Sequence, residues 1–309
     1  MKILVFGAGA LGVYFGGRLL EVGQDVAFFV REKRAEQLKK EGLKIVSPEG
    51  DFESRDVSIY TSRQQVQSAD LIILSVKGYH LDTVIPQIVA LVEQTGACVL
   101  PLLNGIEHIE KLQEAVGKEK VMGGLATIVA TLNKEGHVEH TNPTSTLKYG
   151  ALHSEQAHIC AQLEEIQHQL KSNVIREDDI LKHLWMKYAF ITALSGITSA
   201  MQLPSGFIGS NPATLSVAKK VVHEMSTLAE KEGVPLTDAE VDGIINMLLG
   251  FKKEATSSMH QDLRKGLPIE IEHLQGGALR LAAKYEVEIP VIETLYGVLK
   301  PYEFGRPEQ

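Results

Sequence analysis

The chain has 309 residues, 44% hydrophobic and 23% charged, with a formal net charge of −8. That length suggests about two domains with a sizeable core, and the ordinary composition excludes a disordered or fibrous protein. The acidic balance argues against nucleic acid or an anionic membrane as partner. The two cysteines, Cys98 and Cys160, lack metal-ligand spacing, so no disulfide framework or zinc cluster and no metal site is expected. No run of roughly 18 apolar residues occurs. The glycine-interrupted apolar stretch 1–20 lacks the basic start and cleavage site of a secretion signal. A cytoplasmic location is expected.

In chain order, residues 2–6 read as a buried strand and 10–22 as a helix carrying Leu11, Phe15, Leu19 and Leu20. A second strand over 25–30 precedes a charged helix over 32–41 and short strands within 43–60, around a turn at 48–51. Strands at 71–76 and 97–102 flank a helix at 81–92. Strands alternating with helices predict βαβ units and a parallel sheet. Past about residue 120 the pattern changes to strands at 121–131, 137–140 and 146–150, then a helix at 155–172. From Asp178 onward the periodicity is helical, over 179–201, 212–232, 238–250, 257–265, 270–285 and 291–303. Asn211-Pro212 marks one helix start, and Thr237 with Glu240 forms a capping box at another. The boundary is expected within 173–178, giving an α/β domain over 1–173 and an all-α domain over 174–309.

Gly7-Ala8-Gly9-Ala10-Leu11-Gly12 is a G-x-G-x-x-G that follows a strand and opens a helix, the context a dinucleotide-binding loop requires. Gly7 permits the tight turn, Gly9 the approach of a pyrophosphate, and Gly12 close helix–strand packing. The helix N-terminus offers free N–H groups and a positive dipole end to phosphate. The second strand runs into Arg31, with Lys33 and Arg34 behind it, where NAD-binding units carry a carboxylate. A guanidinium suits a 2′-phosphate, so NADPH is the expected cofactor.

Further pieces stand in order along the chain. Lys77 follows the third strand, Asn104-Gly105 the fourth, and Trp185-Met186-Lys187 lies in the first helix of the second half. Ser257-Ser258-Met259-His260-Gln261-Asp262 precedes Glu270. With the N-terminal loop and Arg31, these residues resemble the ketopantoate reductases, or 2-dehydropantoate 2-reductases, over essentially the whole chain. The resemblance implies a Rossmann domain followed by a helical domain like that of 6-phosphogluconate dehydrogenase. It also implies NADPH-dependent reduction of a 2-oxo acid to a 2-hydroxy acid, as in pantothenate biosynthesis. By resemblance, Lys187 is the general acid and Glu270 helps hold the site and cofactor. Asn104, Ser257 and Ser258 position ligands, Lys77 reaches the cofactor, and Ala130 offers it a backbone contact.

The residue types suit that chemistry. Hydride addition to a ketone places negative charge on oxygen, and a lysine supplies both cation and proton there. Each residue also has a plainer reading. Lys187 is a snorkelling lysine, Glu270 a first-turn glutamate favoured by the helix dipole, Asn104-Gly105 a turn, Ser257 and Ser258 helix caps, and Lys77 a solvated loop residue.

The chain departs from the family where the substrate side chain is read. Family members carry asparagines four and eight residues after the lysine, and another ten further on. Here those positions hold Ile191, Ser195 and Ser205. Lys187, Ile191 and Ser195 share one helix face, so the substrate's identity is open. The leading expectation is a 2-oxo-acid reductase acting on ketopantoate or a relative. Its rivals are a non-catalytic NADP-binding redox sensor and an imine-reducing, opine-type dehydrogenase. The apolar helix over 241–251 is compatible with a homodimer as well as a monomer.

Overall fold

The run KILVF forms β1 (Lys2–Phe6), buried at four of its five positions, and a five-stranded parallel sheet grows outward from it. β2 (Asp25–Phe29) and β6 (Leu71–Leu74) flank β1. β5 (Ser58–Tyr60) lies beyond β2, and β7 (Cys98–Pro101) beyond β6. The crossovers include the helices α1 (Ala10–Glu21), α2 (Glu32–Glu41) and α3 (Leu81–Thr95). The order β5-β2-β1-β6-β7 reverses at β1, the switch point at whose carboxyl edge doubly wound sheets place ligands.

The computed structural model describes residues 1–251 and 253–307. The chain divides into one unit of residues 1–103 and 108–180 and a second of 104–107 and 181–309. The division falls after Ile180 rather than at residue 173. The stretch expected to hold the boundary contains a strand, β12 (Asn173–Arg176), pairing parallel with β11 (Thr146–Gly150). β8 (Gly123–Thr127) completes that three-stranded sheet. The single strand expected over 121–131 breaks after Thr127, and β9 (Ala130–Leu132) joins β10 (Val138–His140), β3 (Leu43–Val46) and β4 (Phe52–Ser54) in another sheet. α4 (Glu107–Val116) and α5 (Ala157–Gln167) complete the first half.

α1 reaches its sheet through missing side chains. A Cβ on Gly16 would lie 2.8 Å from the Phe28 ring, and one on Gly17 2.7 Å from Ile45 Cδ1. The helix is therefore buried from Gly12 to Leu19, including Arg18, which is 1% exposed. That guanidinium pairs with Glu21 at 2.8 Å and donates to the Gly50 carbonyl. Beside it Tyr14 donates to Glu49, which also accepts from Ser145 N–H and Oγ. His140 Nδ1 lies 2.8 Å from Ser47 Oγ and 3.8 Å from Glu49, its ring edge-on to Tyr14.

The second unit is built on α6 (Ile180–Met201), whose Trp185, Tyr188, Ala189 and Leu194 are buried. α7 (Gly206–Ser210), absent from the sequence reading, precedes α8 (Pro212–Lys231) and α9 (Asp238–Gly250). The expected caps form. Asn211 accepts from Ala213 N–H at 3.0 Å, and Thr237 and Glu240 exchange bonds. α10 (Ser258–Arg264) follows. The helix expected over 270–285 is instead a π-helical turn (Glu272–Gly276) leading into α11 (Gly277–Tyr285). Glu224 of α8 accepts from Val291 and Ile292 N–H and so caps α12 (Pro290–Leu299) from a distance.

Burial holds His140 below its ordinary 6.5, against the pull of Glu49. The unfolded chain therefore takes up the proton first, and stability contributed by the neutral ring is lost as pH falls below 6.5. Melting temperatures of His140→Asn should vary less with pH just below 6.5 than those of the wild type. Parallel curves would show that the ring does not titrate with unfolding.

Candidate active site

The first unit presents the phosphate loop. Gly7, the residue directly after β1, takes φ +99°, and its N–H donates to the Phe29 carbonyl at 3.1 Å. Ser75 Oγ donates to the Gly7 carbonyl at 2.8 Å and fills the space against Gly12. A Cβ on Gly12 would sit 2.0 Å from that carbonyl, whereas one on Gly9 would meet nothing within 4 Å. Gly9 caps α1 without a side-chain bond, and no acidic residue stands in the first turn. The approach at Gly9 is thus open, with no first-turn carboxylate competing for an anion, and the loop fits a pyrophosphate.

Of the basic residues behind β2, two have distinct tasks. Arg34 donates to the carbonyls of Ala8 and Gly136 and so ties α2 to the phosphate loop. Arg31 is the N-cap residue of α2, its carbonyl accepting from Arg34 and Ala35 N–H, while its exposed side chain makes no hydrogen bond among the described residues. Lys77 is half-buried at the start of the turn Gly78–His80, and Ala130 opens β9, opposite His140.

The second unit gathers Lys187, Glu270 and Asn104. Lys187 is half-buried on α6. Burial pushes its pKa down to about 8, and the negative charge of Glu270 opposes that fall. Glu270 is 3% exposed and accepts a long hydrogen bond, 3.4 Å, from Asn104 Nδ2. It is not the first-turn glutamate expected. It lies outside the helix, and its carbonyl accepts from His273 and Leu274 N–H as the π turn begins. Gly105, at φ +86°, brings the Asn104 segment down on that turn, where a Cβ would lie 2.6 Å from the His273 carbonyl.

The remaining expected residues divide. Ile191 is half-buried and Ser195 fully buried, its Oγ without a hydrogen-bond partner among the described residues. Ser257 is occupied, since its Oγ caps α10 through His260 N–H and lies 3.1 Å from Thr198 Oγ1. Ser258 is exposed. Ser205 is buried, its N–H donating to the Ala255 carbonyl. The sequence reading missed Gln275, buried in the π turn and donating to the Thr192 carbonyl at 3.0 Å. Its only sequence signal is the Gly276-Gly277 pair after it, easily read through as continuous helix. Among the described residues no group of acidic, histidine or cysteine side chains could hold a metal, and no helix is long and apolar enough to cross a membrane.

A dinucleotide-type loop on a parallel sheet, and in a helical unit a lysine whose pKa burial lowers against the charge of a buried glutamate, fit an oxidoreductase of the two-domain α/β-plus-helical class. Residues 3–154 match the model of the ketopantoate reductase PanE/ApbA family, and residues 179–303 match its C-terminal model. The chain belongs to this family. It is 37% identical to an uncharacterised oxidoreductase, YkpB, of Bacillus subtilis, covering 98% of this chain and 99% of that one. It is 27% identical to a 2-dehydropantoate 2-reductase of Pyrococcus abyssi, covering 98% of both. Among solved structures it resembles a D-mandelate dehydrogenase bound to NADH and anilino(oxo)acetate (TM-score 0.87, 25% identity, 98% of each chain). A 2-dehydropantoate 2-reductase of Geobacter metallireducens is equally similar (TM-score 0.87, 25% identity, 97% of this chain and 99% of that one). Family membership supports a 2-oxo-acid reductase and leaves the substrate to be decided by the site.

The loop geometry has a direct test. Gly12→Ala forces a methyl against the Gly7 carbonyl and should destabilise the protein by about 1–3 kcal/mol, the usual cost of overpacking. Gly9→Ala meets open space and should unfold in urea close to the wild-type midpoint. Equal midpoints for the two variants would mean that α1 is not seated this closely.

Proposed function

We propose that this protein is an NADPH-dependent reductase of a 2-oxo acid, with Lys187 as general acid and a preference for substrates with apolar side chains over ketopantoate. The observation that carries the reading is Lys187 itself. It is a lysine brought by burial to about 8 yet kept charged by Glu270. A redox sensor has no use for such a group. The cofactor would lie on the glycine loop, with Arg31 at the 2′-phosphate, Lys77 nearby and the Ala130 backbone against it.

A bound nicotinamide supplies the hydride. As negative charge gathers on the former keto oxygen, Lys187 Nζ stabilises it and gives up a proton, which is easier for a lysine near 8 than for one near 10.5. Glu270 holds the ammonium charged before that step, and Asn104 restrains Glu270. Lys187→Ala should lower kcat by about two to four orders of magnitude. In the wild type kcat/KM should fall as pH rises through about 8. Glu270→Gln removes the charge that raises the lysine's pKa, so its alkaline limb should move to lower pH. NADPH oxidation followed across pH checks both; an unmoved limb would assign the ionisation to another group.

Ile191 supports the substrate preference. It stands one helical turn from Lys187, half-buried, where family members place an amide. The hydroxyl of ketopantoate would be left unpaired there, at a cost of about 1–3 kcal/mol, or roughly 5- to 150-fold in kcat/KM. The Ser195 hydroxyl next along that face is buried and has no hydrogen-bond partner among the described residues; it is the polar group that the substituted face retains. Ile191→Asn with Ser195→Asn should raise activity on ketopantoate relative to 2-oxo acids with apolar side chains. Efficient wild-type turnover of ketopantoate, lost in the double variant, would overturn the preference.

A further inference from the structure

We infer that His80 is a second determinant of 2′-phosphate recognition beside Arg31, and that it makes the preference for NADPH over NADH stronger as pH falls. The inference rests on the cofactor reading above and deepens it. Its geometry comes from the sheet. β2 and β6 flank β1, with Phe29 and Leu74 both in register with Phe6 at the mouth of the glycine loop. Arg31 stands two residues beyond Phe29, and the turn carrying Lys77 to His80 begins three residues beyond Leu74. Two strand spacings, about 10 Å, separate these chain ends, a gap that an arginine side chain largely spans. The turn is held by the bond from His80 N–H to the Lys77 carbonyl at 2.9 Å.

Two cations belong to the segments that meet near His80. The positive charge of Arg31, at the start of α2, is felt at the imidazole. Within its own turn stand Lys77 and Tyr79, whose ring is edge-on to the imidazole at 4.7 Å. The carboxylate in the first turn of α3, Asp82, is engaged by Lys111 at 2.9 Å. Burial and, after it, the charge of Arg31 hold the imidazole's pKa below its ordinary 6.5. A dianionic 2′-phosphate arriving at Arg31 would reverse that balance. It cancels the repulsion and adds an attraction, so the imidazole takes up a proton as NADPH binds. NADH carries no such phosphate and should bind without this uptake. The phosphate's own ionisation works the other way, since docking on a guanidinium favours loss of its proton.

Calorimetric titration near neutral pH, in two buffers of different ionisation enthalpy, tests this. Wild-type protein should take up a fraction of a proton with NADPH and less with NADH. From pH 8 to pH 6 the ratio of NADH to NADPH dissociation constants should rise about three- to tenfold more in the wild type than in His80→Gln, the effect of up to one unit of pKa shift. His80→Ala should lose the same pH dependence. Equal net proton change on NADPH binding in the wild type and in His80→Gln, where the phosphate's own ionisation is common to both, overturns the inference. If Arg31→Ala abolishes the NADPH preference while His80→Gln keeps the wild-type slope, the cofactor reading stands and the role of His80 falls. If the wild type binds NADPH no tighter than NADH at any pH, both fall.

Discussion

The first unit depends on how closely α1 can lie between two sheets. A helix normally keeps its neighbours at side-chain distance, and here glycine removes the side chains on the contacting faces. Phe28 fills the space at Gly16 and Ile45 that at Gly17, while Ser75 and the Gly7 carbonyl crowd Gly12. With α1 pressed onto β1, its N-terminus is aimed at the loop mouth, and the unsatisfied N–H groups become a binding surface. The same closeness explains Arg18 and Tyr14. A helix covered on both sides must bury some polar groups, and Glu21, Gly50 and Glu49 partner these two, with Arg18 Nε left without an acceptor among the described residues. The anion-binding end of α1 and its buried polar network are thus two consequences of one packing decision.

The second unit solves an opposite problem. Burying an amine favours its neutral form, which would leave no cation for a developing oxyanion. Glu270 offsets part of that cost, and its own position is set by backbone. It precedes a π turn whose N–H groups engage its carbonyl, and Asn104-Gly105 packs against the same turn. A π turn widens the helix and is most common at functional positions. Here it lets Gln275 reach the Thr192 carbonyl of α6 while Tyr188 donates to the Leu274 carbonyl. Main-chain bonds therefore hold this turn together with the Arg280 side chain, which bridges Glu107 beside the Asn104 segment and Glu272 of the turn.

Much of this was legible in the residues alone. Alternating apolar runs and helical periods gave the parallel sheet and the helical second half, since burial imposes periods of two and 3.6 on any chain. The glycine loop was legible because few other reasons place three glycines between a strand and a helix. Asn211 and Thr237 signalled caps, for capping is local chemistry. Lys187, Glu270 and Asn104 could be singled out only through the family resemblance. Their separation along the chain carries no hint that Glu270 and Asn104 share a hydrogen bond.

What the sequence by itself determined was therefore whatever depends on near neighbours: element type, the loop's conformation, the caps and the division into an α/β half and a helical half. Tertiary structure alone decided the rest. It made a strand of Asn173–Arg176, because pairing with β11 supplies hydrogen bonds that no local pattern announces. It broke the expected helix at Glu270 into a π turn, because Asn104-Gly105 and α6 press on it from elsewhere in the chain. It gave Arg34 to the backbone and left Arg31 exposed, although the two basic residues stand three apart on the same strand-to-helix segment. Burial is a property of the assembled fold, so the lowered pKa of Lys187 and the unpartnered hydroxyl of Ser195 could not be read from the chain in one dimension.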